Sequence, residues 1–310
     1  MMTPMPKAPN DRQPKPHKGA KAAPSLQDQL PELRPGQSVA LLQELHILTR
    51  EGKLNQDTRR KLKQVYHLVQ FIEPLLQEAL DARGDVALAD HGAGKNYLGF
   101  ILYDLFFKQR TQGAVYGVES RTELVAKSTE LAQRLGFDRM GFLACTVAES
   151  LTHAALPATI DVVTALHACD TATDDAIAFG LARQARAMVL VPCCQAEVAS
   201  VMRQHKALQL NRTPLAELWR HPLHTREFGS QITNVLRCLQ LEAHGYQVTV
   251  TELVGWEHSM KNELILARKT EADRPSNRAR ARERLQQVLE ELGLQTLQSR
   301  FAANGDQPTR

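Results

Sequence analysis

Aromatic residues are scarce, 5% of 310 positions, which argues against a surface built to stack single-stranded bases. The chain has five cysteines, Cys145, Cys169, Cys193, Cys194 and Cys238, and no CxxC pair among them. That odd count and spacing exclude a disulfide scaffold and make a zinc ribbon a poor fit. No apolar run reaches the ~18–20 residues of a membrane-spanning helix. The N-terminus also lacks the apolar core of a secretory signal. The expected setting is a reducing cytoplasm, with no membrane partner and no resident metal. What remains is ordinary globular stock, 43% hydrophobic and 23% charged, long enough for one large α/β domain with appendages.

The formal net charge is +4, and it is unevenly spread. Residues 1–23 carry Lys7, Arg12, Lys15, Lys18 and Lys21 against Asp11, and prolines 4, 6, 9, 14 and 16 interrupt any helix. With almost nothing apolar to bury, this stretch reads as a disordered basic tail. A second basic run, Arg50 to Lys63, nets +4 over residues 49–63, while everything after residue 63 nets −2. The remaining arginine-rich stretch, Arg274, Arg278, Arg280, Arg282 and Arg284, opens the last helical segment.

Ser38 has the chemistry of an N-cap ahead of Leu41, Leu42, Leu45 and Leu48. Asn55 or Asp57 opens a second helix, whose apolar stripe runs from Leu62 to about Ala82. From residue 85 short β-branched runs alternate with helical stretches. Strands are expected at Val86–Asp90, Ala114–Glu119, Met140–Cys145, Ile160–Leu166 and Ala187–Val191. Helices are expected at Tyr97–Phe107, Arg121–Leu135, from about Thr171, and after Gln195. Two late strands, Tyr246–Leu253 and Glu263–Ala267, lie too close together for a helical crossover, which predicts a doubly wound sheet with one antiparallel strand. A C-terminal helix is expected from Arg274 to Phe301. The domain reading is a tail over 1–36, a helical subdomain over 37–84, the sheet domain over 85–270, and an Arg-rich helix and tail over 271–310.

The stretch Asp90-His91-Gly92-Ala93-Gly94-Lys95-Asn96-Tyr97 runs from a strand through a glycine turn into a helix. A phosphate-binding P-loop needs GxxxxGK[ST], but Asn96 follows Gly94-Lys95 and Ala89 stands where the first glycine belongs. A dinucleotide GxGxxG needs glycine where Tyr97 stands. The surviving acidic-x-Gly-x-Gly form resembles motif I of class I S-adenosylmethionine (SAM) methyltransferases, although Asn96 replaces a frequent third glycine. The resemblance implies a Rossmann-like seven-stranded methyltransferase sheet with an antiparallel seventh strand, plus the N-terminal helical subdomain. It implies SAM as cofactor, with Asp90 reaching the methionine ammonium and the turn (His91, Gly92, Ala93, Gly94, Asn96, Tyr97) beneath it. It further implies Glu119, beside Ser120 at the end of the second strand, as acceptor for the ribose hydroxyls, and adenine contacts around Cys145, Thr146 and Val147.

At the reacting edge stand Leu166-His167-Ala168-Cys169-Asp170 after the fourth strand and Pro192-Cys193-Cys194 after the fifth. With Arg59–His67 and Trp256–Asn262, this is similar to a methyltransferase branch that includes tRNA ribose 2′-O-methyltransferases. Weak hydroxyl nucleophiles profit from a nearby base or cation. The candidates are His167 and Asp170, with His258 and Lys261 from the last loop; His167 also counts as a cofactor contact. Cys193 and Cys194, with Cys169, allow a rival thiolate attack on a pyrimidine ring, but the Asp-Ala-Pro-Cys order of those RNA enzymes is absent. A zinc site from Cys193, Cys194 and His167 lacks suitable spacing. The expected activity is SAM-dependent methylation of RNA, at ribose 2′-O or a base nitrogen, gripped by the basic flanks. The alternatives are a small-molecule or protein methyltransferase, or a non-catalytic SAM- or RNA-binding protein.

Overall fold

A computed structural model of the chain describes residues 32–166, 168–193, 195–205, 212–253 and 263–302. Residues up to Pro35 and Gly36–Arg310 form two compact units. The first contributes only a turn at 32–35 to the described residues; every element below belongs to the second.

Helix α1, Val39–Glu44, starts as its sequence predicts, with Ser38 Oγ accepting from the Leu41 amide at 3.2 Å. The Ser38 amide itself donates to the buried Asp104 carboxylate at 2.7 Å, which ties this N-cap to a helix 66 positions later. Helix α2, Gln56–Arg83, opens on a reciprocal capping box between Asn55 and Thr58 and ends at Gly84, whose left-handed φ of 74° glycine adopts at little cost. Leu62, Val65, Leu68, Val69, Ile72 and Leu76 form its buried stripe. Its last residue, Arg83, reaches the buried Asp161 at 2.6 Å, and the same carboxylate accepts the Ala87 amide where the first strand begins.

The remaining elements are β1 (Ala87–His91), α3 (Tyr97–Leu102), β2 (Ala114–Glu119), α4 (Thr122–Leu135), β3 (Met140–Ala144), α5 (Val147–Ser150) and β4 (Val162–Leu166). They continue with α6 (Thr171–Ala182), β5 (Ala187–Val191), α7 (Glu197–His205), α8 (Pro222–Ala243), β6 (Tyr246–Glu252), β7 (Glu263–Lys269), α9 (Pro275–Glu291) and α10 (Gln298–Phe301). The seven strands order as β3-β2-β1-β4-β5-β7-β6. The first five pair in parallel, and β7 enters antiparallel between β5 and β6. Strands β1 and β5 are buried at every residue, as central parallel strands covered on both faces must be. The order reverses between β1 and β4, and in such sheets that reversal opens a crevice beyond the carboxyl ends of the strands.

Two departures from the sequence reading have local causes. The helix expected through Phe107 changes to a π-helical turn over Tyr103–Phe107, in which Asp104 sits buried between Ser38 and Lys108. The C-terminal helix stops at Glu291 rather than Phe301, because Gly293 takes a left-handed φ of 66° and the chain resumes as α10. There α7, α8, α9 and α10 share a core of Val198, Met202, Leu236, Leu285, Leu289 and Phe301. Gly229 lets α8 lie against α7: a Cβ there would stand 2.6 Å from that of Ala199.

Candidate functional site

The site grows from the end of β1. Three residues in five adopt left-handed backbone, Gly92 (φ 64°), Gly94 (φ 58°) and Asn96 (φ 55°), so the chain folds tightly back before α3 begins. Two are glycines, for which this costs little; asparagine is among the few other residues that tolerate it. The turn is pinned by Ala93 N–H donating to the Val118 carbonyl at 3.1 Å and Asn96 N–H donating to the Ala93 carbonyl at 2.7 Å. A Cβ on Gly92 would lie 3.4 Å from Ala168, so the turn rests against the loop after β4.

Two carboxylates flank this turn in opposite electrostatic states. Asp90, 2% exposed, accepts from Thr164 Oγ1 at 2.7 Å, but burial dominates and pushes its pKa up to about 7. Glu119, at the end of β2, is pulled down to about 2, chiefly by its hydrogen bonds with the Arg121 side chain. It accepts the Gly94 amide at 2.8 Å and the Arg121 amide at 3.0 Å, while the Arg121 guanidinium forks onto both oxygens at 2.9 and 3.1 Å. Ser120 is exposed and its hydroxyl lies 3.4 Å from the same carboxylate.

The neighbours of these acids face elsewhere. The His91 ring is fully buried, 3.1 Å from Ser150 Oγ and edge-on to Phe179, and burial pushes its pKa down to about 3. Its Nδ1 has no partner among the described residues. The Asn96 side chain points under the turn, donating to Ser128 Oγ at 3.1 Å. Tyr97 lines a cavity of about 280 Å³ with Lys95, Lys127 and Arg134.

At the reacting edge, β4 and β5 end side by side, with Leu166 paired to Val191. Asp170 holds φ 48° and ψ −119°, a conformation costly for any residue with a Cβ. Its carboxylate accepts the amides of Ala196 (3.0 Å) and Glu197 (3.5 Å) at the start of α7, and so bridges the two loops. Its carbonyl accepts from Arg237 at 2.9 Å. Cys193 lies beside Cys169, with sulfurs 3.4 Å apart. His167, Cys194, His258 and Lys261 lie outside the described residues.

Sequence reasoning missed the support beneath this edge. Arg237 on α8 is fully buried and forks onto Asp174 of α6 at 2.7 and 2.9 Å. Its partner Asn234 receives Gln195 Nε2 at 2.9 Å and donates to Glu263 of β7 at 2.7 Å. One polar network thereby fixes the loops after β4 and β5 and the start of β7. No local signal marks Arg237, since its partner lies 63 positions away.

The chemistry of these groups fits SAM. A buried carboxylate with no cation beside it among the described residues suits an ammonium, and an ionised one at the next strand end suits a vicinal diol. The glycine turn between them lets a ligand approach the backbone. Among the described residues no three histidine, cysteine or acidic side chains gather as a metal site, and no helix is long and apolar enough to cross a membrane.

Residues 60–201 match a family described as a methyltransferase domain. No curated protein matches the chain. Similar solved structures include a magnesium protoporphyrin IX methyltransferase from Synechocystis with bound SAH, 16% identical over 74% of this chain and 95% of its own, with a TM-score of 0.39. They also include a precorrin-6y C5,15-methyltransferase from Geobacter metallireducens (16% identity, 60% and 81% coverage, TM-score 0.35). A third is an rRNA methylase from Streptococcus thermophilus (11% identity, 60% and 88% coverage, TM-score 0.35). Residues 60–201 are thus similar to a methyltransferase domain, set on a seven-stranded sheet whose β7 runs antiparallel and around a site whose chemistry fits SAM as the methyl donor.

Proposed function

We propose that the acceptor is RNA, methylated at a ribose 2′-hydroxyl or a base nitrogen. The observation that supports this reading is where the basic residues stand on their helices. Arg59, Arg60, Lys61 and Lys63 are exposed in the opening turns of α2, and Arg274, Arg280 and Arg282 are exposed at the opening of α9. Helix N-termini carry positive partial charge, so a cation in the first turn or at the cap, as Arg59 of α2 and Arg274 of α9 are, costs about 0.3–1 kcal/mol at low salt. Arg60 pairs with Asp57 at 3.8 Å, both side chains being more than half exposed, and a polyanion gains the side-chain charges of the run together with the helix ends. Arg278 and Arg284 are held by Asp273 and Glu242, which leaves the other arginines of α9 turned to solvent.

Bound SAM supplies an electrophilic methyl on a sulfonium. In this reading Asp90 holds the cofactor's ammonium, Glu119 holds its ribose hydroxyls once Arg121 yields, and the Gly92–Gly94 turn seats the chain between them. The ends of β4 and β5 present the acceptor, with Asp170 fixing one loop to the other. His167, Asp170, His258 and Lys261 remain the candidates for easing loss of the acceptor's proton, while Cys193 and Cys194 belong to the rival thiolate attack on a pyrimidine ring. The test is transfer of tritiated methyl from SAM to total RNA of cells lacking the protein. Incorporation into an RNA fraction is expected, and the labelled nucleoside then names the acceptor atom. Label passing only to a small molecule or a protein would refute the RNA assignment.

A further inference from the structure

We infer that Cys169 and Cys193 are a thiol-oxidation site, closed to a disulfide by a peroxide and reopened by a dithiol, at the edge where the acceptor binds. The bond itself does not depend on the RNA reading; its effect on transfer does.

Three observations carry this. First, the two sulfurs stand 3.4 Å apart, within van der Waals contact, on the loops that continue adjacent parallel strands. A disulfide has sulfurs about 2.05 Å apart, so each loop has to give by less than an ångström. Second, Cys169 is exposed, where an oxidant reaches it first, and Cys193 is half-buried. Third, the loops are already cross-tied, Asp170 holding the amides of Ala196 and Glu197, so neither sulfur has to search for the other. The remaining described cysteines offer no such contact. Cys238 lies within α8, and burial pushes its thiol up to about 12; burial raises Cys145 as well.

The chemistry balances with hydrogen peroxide as oxidant. The Cys169 thiolate attacks one peroxide oxygen, the O–O bond breaks, and one water leaves as Cys169 becomes a sulfenic acid. The Cys193 thiolate then attacks that sulfur, forming the S–S bond and expelling the hydroxyl as a second water. Two thiols are oxidised by two electrons and the peroxide is reduced by the same two. The new bond lies one residue beyond Ala168, against which Gly92 packs, and it locks both loops at the mouth of the reacting edge.

The full chain, reduced and then treated with a slight excess of hydrogen peroxide, provides the test by intact mass and non-reducing peptide mapping. A Cys194→Ser background keeps the linkage unambiguous. The expected result is a loss of about 2 Da, a Cys169–Cys193 cross-linked peptide, and full reversal by dithiothreitol. The cross-link should be absent from Cys169→Ser and Cys193→Ser proteins. Tritiated-methyl transfer by the oxidised wild-type protein should fall at least about tenfold and return on reduction. Over-oxidation of Cys169 without a cross-link would overturn the proposal. So would linkage of other cysteines only, or a metal ion retained by these thiols and shielding them. A cross-link that leaves transfer unchanged would overturn its role at the acceptor edge. Absence of transfer to RNA by the reduced protein would count against the RNA reading and leave the mass result standing.

Discussion

Replacing Asp90 by Asn should stabilise the cofactor-free protein while weakening its hold on SAM, and both effects should follow pH. The native state keeps the Asp90 proton up to pH about 7, whereas the unfolded chain releases it near the ordinary 3.8. Between those values the native state binds more protons, so stability falls as pH rises and the loss is complete above pH 7. The gap corresponds to at most about 4 kcal/mol. Asn carries no such penalty. The variant should therefore outlast the wild type in urea at pH 8 by up to that amount, and the difference should close towards pH 4.

Cofactor affinity should move the other way. An ammonium needs the carboxylate, so wild-type affinity for SAM should drop about tenfold per pH unit below pH 7. Calorimetry in two buffers of unlike ionisation enthalpy should count close to one proton released per SAM bound at pH 6. Asp90→Asn should bind more weakly, release none and show a flat profile from pH 5.5 to 7.5. Neither neighbour confuses the assignment, since Glu119 ionises at about 2 and His91 stays neutral down to about 3. Equal urea stability of the two proteins at pH 8, or a pH slope retained in the variant, would refute the reasoning.

Arg237→Ala should cost about 3–5 kcal/mol in equilibrium unfolding, because it strands Asp174 without its counter-ion. Pairing Arg237→Met with Asp174→Leu should recover most of that loss, while the Asp170 loop, deprived of its guanidinium, should still transfer methyl poorly. Gly117→Ala should cost about 1–3 kcal/mol, since its Cβ would lie 2.1 Å from Asn96 Oδ1, and adding Asn96→Gly should relieve much of it. Deleting residues 1–23 removes five cations, so the dependence of RNA affinity on salt should become shallower while SAM binding is unmoved; an unchanged salt slope would exclude the tail from the grip.

The strands were legible because each is a short apolar or β-branched run, and the structure places them within about two residues of the expected bounds. The caps at Ser38 and Asn55 were legible for the same local reason. Helix α8 was not. Its buried positions include Thr225, Thr233, Asn234, Arg237 and Gln240, with Gly229 in the middle, so the apolar stripe that announces a helix is broken by the residues of the polar network. Burial of those groups makes sense only once Asp174 and Glu263 arrive from distant parts of the chain. The turn at Tyr103–Phe107 escaped for a similar reason, since what Asp104 meets there is Ser38.

The turn itself shows how a motif can be kept while one of its residues is lost. The third glycine is missing at Asn96, yet the backbone there has the left-handed φ of 55° that a glycine would take. What asparagine adds is a side chain that must go somewhere, and it goes beneath the turn to Ser128, across the face of β2. That route is open only because position 117 has no Cβ. The need for glycine has thus moved from the turn to the strand beneath it. Backbone freedom at 96 and space at 117 are separate requirements, one met by asparagine's tolerance of the left-handed region and the other by Gly117. A pattern written along the sequence scores the first as a defect and does not see the second, whereas the packing treats them as one solution.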